Sequence, residues 1–329
     1  MTHRRTAAGC ALAVFAALVS GCASVIDGSP RVVGEGPPIH GEPVSSLDRA
    51  EWESADATRM IDPCLALDPV PLDGFGDVIA HGPVGDLSTC RAEIVPPGGS
   101  SETPAWVEVN IGVLEPSAEL GAAEEIAGKQ VRGSAVTLPG SCALYFPLAP
   151  YLALGQQLPD TSERWGYVSY LDSGASDCVA ARRVTASVLG KLERGETVAG
   201  ARGIPLAQQD PCRVVEELHG RVETFGPGSR PFECRIGLKG AVSASVAFSL
   251  TPPPETRDNG LDEVVLGDRR FMHFQDAMAC NYYFYPGEVV ETGRPDEDVL
   301  PLTAAVTASA ANCEDAEVVA SVAAAMFDY

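Results

Sequence analysis

At 329 residues with a formal net charge of −22, the chain is long enough for about two domains and too acidic to offer nucleic acid the positive footprint it needs. The same charge excludes peripheral adhesion to anionic lipid head groups and fits a solvated surface that keeps a protein soluble. Ten cysteines are many for a reducing compartment, and in an exported chain they read as a disulfide framework.

The N-terminus carries the first motif. Arg4 and Arg5 are followed by Thr6 to Gly21 without a charged residue, the layout of a secretory signal with a basic start and an apolar centre. Val19, Ser20 and Gly21 ahead of Cys22 resemble the lipobox of bacterial lipoproteins, in which small residues admit the signal peptidase and the thiol takes diacylglycerol through a thioether. Residues 1–21 are therefore expected to be a lipoprotein signal peptide, with Cys22 as the lipid attachment. Two acyl chains suffice for stable anchoring at roughly 0.8 kcal/mol per buried methylene. The uncharged run continues to Ile26 and is long enough for an uncleaved membrane helix, a reading weakened by its small residues and by the lipobox. Arg4-Arg5 lacks the rest of a twin-arginine motif, so the general secretory route is preferred. The expected location is the outer face of the cell membrane.

Residues 22–58 contain Gly34-Glu35-Gly36-Pro37-Pro38 and Gly41-Glu42-Pro43. A segment this rich in Gly, Pro, Ser and Glu buries little apolar surface and is expected to be a flexible, lipidated stalk.

An internal repeat follows. Asp62-Pro63-Cys64 recurs as Asp210-Pro211-Cys212, and Cys90-Arg91-Ala92-Glu93-Ile94 as Cys234-Arg235-Ile236-Gly237-Leu238. Cys142-Ala143-Leu144-Tyr145-Phe146-Pro147 is matched by Cys280-Asn281-Tyr282-Tyr283-Phe284-Tyr285-Pro286, and Cys178 by Cys313. Glu125-Ile126 and Glu263-Val264 lie equally far ahead of the third cysteine of each copy. Two domains are thus expected, at 59–195 and 205–329, joined by a short connection with room for a limited hinge.

Both copies give the same elements in order. Asp-Pro-Cys fits a helix start, with Asp as N-cap and Pro at the first helical position. Val107 to Val113 and Val242 to Phe248 alternate as half-buried antiparallel strands do. Strands also fit the segments ending at Phe146 and Tyr285, and Gly166 to Leu171, while Asp258-Asn259-Gly260 is a turn signal. Helical spacing closes each copy, through Val179, Val184, Val188, Leu189 and Leu192, and through Val318, Val319, Val322 and Met326. The predicted fold class is α+β: two tandem disulfide-stapled domains, each an antiparallel sheet with flanking N- and C-terminal helices. At this size each domain builds a real core, so the disulfides supplement it.

Beyond Cys10 and Cys22, eight cysteines remain: Cys64, Cys90, Cys142, Cys178, Cys212, Cys234, Cys280 and Cys313. The preferred pairing joins first to second and third to fourth in each copy, tying the opening helix to the first strand and the closing helix to a later one. Four cysteines allow three connectivities, and the sequence alone leaves them open.

At these residues the chain resembles a family of actinobacterial exported lipoproteins of uncharacterised function, marked by a lipobox, an Asp-Pro-Cys start and later spaced cysteines. The resemblance covers about residues 60 to 192 and again 208 to 329. More distantly the chain is similar to the two-disulfide extracellular sensor domain of a mycobacterial serine/threonine kinase and to envelope lipoproteins with an α-β-α sandwich related to the PsbP fold. This implies binding or sensing outside the cell and supplies no catalytic residues.

Motifs for chemistry are sparse. No cysteine of the eight has a close Cys or His neighbour of the zinc-site kind, and His40, His81, His219 and His273 are scattered singly. Ser176 follows Gly174-Ala175 but precedes Asp177-Cys178, unlike a nucleophile elbow, so 172–177 reads as a surface loop. Gly74-Phe75-Gly76 lacks the third glycine of a dinucleotide loop. The acidic groups at Asp258 to Glu263 and Asp296-Glu297-Asp298 lack calcium-loop spacing. The aromatic concentration Phe271, His273, Phe274 and Tyr282 to Tyr285 is the one candidate pocket lining. Strand alternation sends half of it to the core, leaving His273, Tyr283 and Tyr285 as the weak ligand candidates and the second copy as the preferred binder. The expectation is a noncatalytic, lipid-anchored envelope protein without a cofactor, a sensor or adaptor for an envelope protein or small ligand. An envelope hydrolase with a dispersed site and a structural assembly factor are the alternatives.

Overall fold

The computed structural model describes residues 25–26, 29–30, 37–67, 72, 74–114, 120–134, 140–152, 163–172, 178–198, 204–240, 243–253, 261–287, 289–290 and 301–328. The expected signal peptide and Cys22 lie outside them, as do Val242, Asp258-Asn259-Gly260, most of the 172–177 loop and Asp296 to Asp298. The chain forms two units, Met1–Ser46 and Leu47–Tyr329. In the first, β1 (Val25–Ile26) and β2 (Ser29–Pro30) pair antiparallel.

Alternating sequence becomes two antiparallel sheets with the same strand order. The first contains β3 (Asp77–Pro83), β4 (Thr89–Val95), β5 (Ala105–Leu114), β6 (Leu120–Ile126), β7 (Lys129–Ser134), β8 (Ser141–Pro147) and β9 (Arg164–Leu171), arranged β3-β4-β5-β9-β8-β7-β6. The second contains β10 (Val222–Pro227), β11 (Glu233–Leu238), β12 (Ser243–Thr251), β13 (Asp262–Leu266), β14 (Arg269–Gln275), β15 (Cys280–Phe284) and β17 (Leu302–Ala310). Its order is β10-β11-β12-β17-β15-β14-β13, with the short β16 (Val289–Val290) pairing beside β17. The repeat read from cysteine spacing is therefore a repeat of topology, and the α+β class holds.

The closing helices form as their periodicity requires. α3 (Val179–Arg194) lays Ala181, Val184, Val188 and Leu189 on the first sheet, against Val107, Val109, Leu144 and Val168. α4 (Cys313–Phe327) buries Ala316, Val319, Ala320, Ala323, Ala324 and Phe327. Its alanines shorten the distance to the sheet, and the Phe327 ring meets Phe248 of β12 edge-on at 4.9 Å. Neither these nor any other helix among the described residues is long and apolar enough to cross a membrane.

The opening helices are smaller than expected. Asp62 caps α2 (Pro63–Ala66) by accepting from the Cys64 and Leu65 amides, but the helix is a single turn. Asp210 accepts from the Cys212 amide above a 3-10 turn at Pro211–Glu216. The preferred cysteine pairing is the observed one: Cys64–Cys90, Cys142–Cys178, Cys212–Cys234 and Cys280–Cys313. Cys90 and Cys234 lie on β4 and β11, the second strand of each copy and not the first, because β3 and β10 precede them unannounced.

The stalk expectation is corrected at its C-terminal end. Ser46–Arg59 is α1, and it buries Trp52 to 2% exposure along with Ala50, Ser54, Ala55 and Thr58. The Trp52 ring lies 5.6 Å from Phe225 of the second copy.

The expected hinge is replaced by a bonded seam between the copies. Gly112, at a bulge in β5 with φ of +95°, has no side chain, so Thr58 and Pro231 close on its Cα. Arg164 of β9, 2% exposed, donates to the Gly112 carbonyl at 2.8 Å and to the Gly228 carbonyl at 3.2 Å, one from each copy. Burial, with the Arg59 charge added, lowers the Arg164 guanidinium to about 10. Arg59 itself donates to Pro231 O at 3.0 Å and pairs with Asp56 and Asp210. Backbone bonds from Leu114 N to Ser229 O and from Leu250 N to Gly85 O continue the seam. The connection is tied down at its start, where Asp62 N donates to Thr197 O.

Candidate functional site

In each sheet the helix-covered face takes every second residue, so the opposite face is set by the intervening ones. In the first copy these are Arg91 on β4, Trp106, Glu108 and Asn110 on β5, Tyr167 on β9 and Tyr145 on β8. Register brings them together: Arg91 pairs with Glu108, Asn110 with Tyr167, and Tyr167 with Tyr145.

Both carboxylate oxygens of Glu108 are engaged. Arg91 reaches Oε2 with Nη2 at 2.8 Å and Nε at 3.3 Å, while the Tyr167 hydroxyl donates to Oε1 at 3.1 Å. The Arg91 guanidinium also lies 4.7 Å from the Trp106 ring centroid, and the Tyr145 and Tyr167 rings are 5.4 Å apart. Burial, reinforced by the Glu108 carboxylate, pushes the Tyr167 phenol well above the ordinary tyrosine range, and burial alone raises Tyr145. Tyr167 therefore remains a neutral donor.

A second chain of hydrogen bonds begins beside it. Asn110 Nδ2 donates to Thr89 Oγ1 at 2.5 Å, and Thr89 donates to Asp86 Oδ1 at 2.8 Å. Asp86 also accepts from Ser88 and lies 3.6 Å from Arg230 of the second copy. Asn110 Oδ1 is buried without a hydrogen-bond partner among the described residues. An unsatisfied buried acceptor costs on the order of 1–3 kcal/mol, which a donor brought by a ligand or water would recover.

The second copy has no counterpart of this row. Register puts Ser245 and Ser309 where the first copy has Glu108 and Ser169, and Thr307 and Tyr283 where it has Tyr167 and Tyr145. Arg235, the match of Arg91, donates to the Pro227 carbonyl.

The second-copy candidates do not converge. His273 packs on the core-side face, with its ring 4.9 Å from Tyr282 and its Nε2 against the Cys280–Cys313 disulfide. The burial pattern of β15 turns Tyr283 to the other face, and Tyr285 falls just past the strand. Alternation could have revealed the Arg91/Glu93 and Trp106/Glu108 pairs in the sequence. The register that aligns them with Tyr167 could not.

Two clusters place an imidazole by paired cysteines: His81 with Cys64 and Cys90, and His273 with Cys280 and Cys313. Disulfide sulfurs offer no thiolate to a metal ion. Searches against protein-family models, curated proteins and solved structures find no match to this chain.

Proposed function

We propose that the protein is a noncatalytic, lipid-anchored module of the cell envelope that binds a protein segment or small polar ligand outside the membrane, on the outward face of its first sheet. The observation that carries this reading is the row Trp106, Arg91, Glu108, Tyr167 and Tyr145, beside the unsatisfied Asn110 acceptor. Aromatic faces with a few fixed polar groups are what a binding surface uses for affinity and orientation. Four disulfides support an exported location, and attachment through Cys22 rests on the lipobox-like residues before it. Membership of the actinobacterial lipoprotein family, and a relationship to the PsbP fold or to the kinase sensor domain, belong to the same reading, supported by the tandem four-cysteine pattern and the sheet with its closing helix.

The test uses full-length protein and a thermal-shift screen of envelope-derived small molecules and peptides. A ligand that raises Tm for the wild type should fail to do so for Trp106→Ala and Glu108→Gln. A ligand whose effect survives both substitutions would move the site elsewhere. Anchoring has its own assay, since Cys22→Ala should abolish lipid labelling and membrane retention, and unchanged fractionation would refute it.

A further inference from the structure

The four disulfides differ in what surrounds their sulfurs. Cys280 is fully buried on β15, while Cys313 is partly exposed at the first residue of α4. His273 Nε2 lies 3.2 Å from Cys280 Sγ and 3.8 Å from Cys313 Sγ, and makes no other hydrogen bond among the described residues. In the first copy His81 Nε2 sits 2.8 Å from the Leu67 carbonyl, which can only accept, so its N–H is committed there. Cys90 Sγ faces the Gly82 carbonyl at 3.2 Å, with His81 Nε2 farther off at 3.7 Å, and Cys212 and Cys234 have the Gly226 and Arg235 carbonyls as polar neighbours. A thiolate formed against a carbonyl lone pair is disfavoured; one formed against an imidazole N–H is stabilised.

The Cys142–Cys178 bond is an internal control. Cys142 and Cys280 occupy the same place in their sheets. Two residues on, Leu144 pairs with Gly133 where Tyr282 pairs with His273. The equivalent disulfide thus has a glycine in place of the imidazole.

We infer that Cys280–Cys313 is an exchange-active disulfide that reacts with dithiols, with His273 serving its leaving sulfur. A thiolate of the incoming dithiol attacks Sγ of the partly exposed Cys313 and forms a mixed disulfide. The Cys280–Cys313 bond breaks, its electron pair goes to Cys280 Sγ, and the His273 Nε2–H donates to the new thiolate. The second thiol of the dithiol then displaces Cys313. In total the protein gains two electrons and two protons, the dithiol becomes a disulfide, and the start of α4 is released from β15. Glu314 and Asp315 beside the attacked sulfur select against an anionic reductant, so the probe is neutral dithiothreitol.

The experiment reduces native full-length protein with limiting dithiothreitol, quenches in acid, alkylates, and reads each cysteine by peptide mass spectrometry. Cys280–Cys313 should open first, about tenfold faster than Cys142–Cys178. His273→Phe should slow it about fivefold or more without slowing the other three. Gly133→His, at a position where a Cβ meets nothing within 4 Å, should speed opening of Cys142–Cys178. Equal rates for the two bonds, or an unchanged rate in His273→Phe, would overturn the assignment. Should His273→Phe loosen the fold, all four bonds open faster, and Gly133→His then decides: no acceleration of Cys142–Cys178 sinks the inference.

Discussion

Replacing Arg164 with methionine removes the buried guanidinium that bonds to both copies while keeping most of the side-chain volume. Two effects oppose each other. The guanidinium is held at about 10, well below its ordinary value, so its burial as a cation costs on the order of 3 kcal/mol at neutral pH. Its hydrogen bonds to the Gly112 and Gly228 carbonyls are charge-assisted and contribute about 1.5–3 kcal/mol each. Losing both while recovering the desolvation leaves a net destabilisation of roughly 0–3 kcal/mol, concentrated at the seam. Guanidinium denaturation, followed by tryptophan fluorescence and circular dichroism, should show the two probes diverging in Arg164→Met, because the copies then unfold separately. The pH dependence has a definite sign. From about pH 10 up to the ordinary arginine range the unfolded wild type binds more protons than the folded one, so wild-type stability gains over the variant by up to about 1.4 kcal/mol per pH unit. Below that window the difference should be flat. Coincident transitions in the variant, or a difference that shrinks as pH rises through 10, would refute this account of Arg164.

Gly112→Ala should destabilise the protein by about 2–5 kcal/mol in the same assay, since it combines left-handed backbone strain with overpacking. Its Cβ would stand 2.3 Å from Thr58 Cγ2 and 2.4 Å from Pro231 Cγ. Gly133→Ala, with open space around it, should change stability by about 0.5 kcal/mol or less, and similar losses at the two sites would contradict the seam geometry. Replacing Cys142 and Cys178 together by serine opens a loop with a sequence separation of 36 and should cost about 3–4 kcal/mol. A loss under about 1 kcal/mol would show that the unfolded chain gains little freedom there.

Much of the fold could be read from particular residues. The matched Asp-Pro-Cys triplets announced two caps with the same hydrogen bond from the cysteine amide to the Asp carboxylate. The alternation of Val107 to Val113 and the spacing of Val184, Val188 and Leu189 gave β5 and α3. The helix α1 was hidden, because SLDRAEWESADATR carries six charged residues and few apolar ones. Its buried face is built from Trp52, small Ala50 and Ala55, and hydroxyls: Thr58 Oγ1 satisfies itself on the Ser54 carbonyl at 2.6 Å. Such a face leaves no strong hydrophobic stripe. The Arg91–Glu108–Tyr167 row was hidden for a different reason, since period-2 alternation tells which side a residue faces and not which neighbour it meets.

The sequence by itself determined that the chain is duplicated, that four cysteines recur in order in each copy, and which segments alternate as strands or repeat as helices. These are local patterns, legible because backbone geometry maps spacing directly onto a face. Only the tertiary structure decided that the copies share a seam, that Arg164 is buried between two carbonyls, and that His273 lies against one disulfide while its counterpart position is Gly133. Those relations join residues tens of positions apart through strand register and close packing, and no local spacing encodes them.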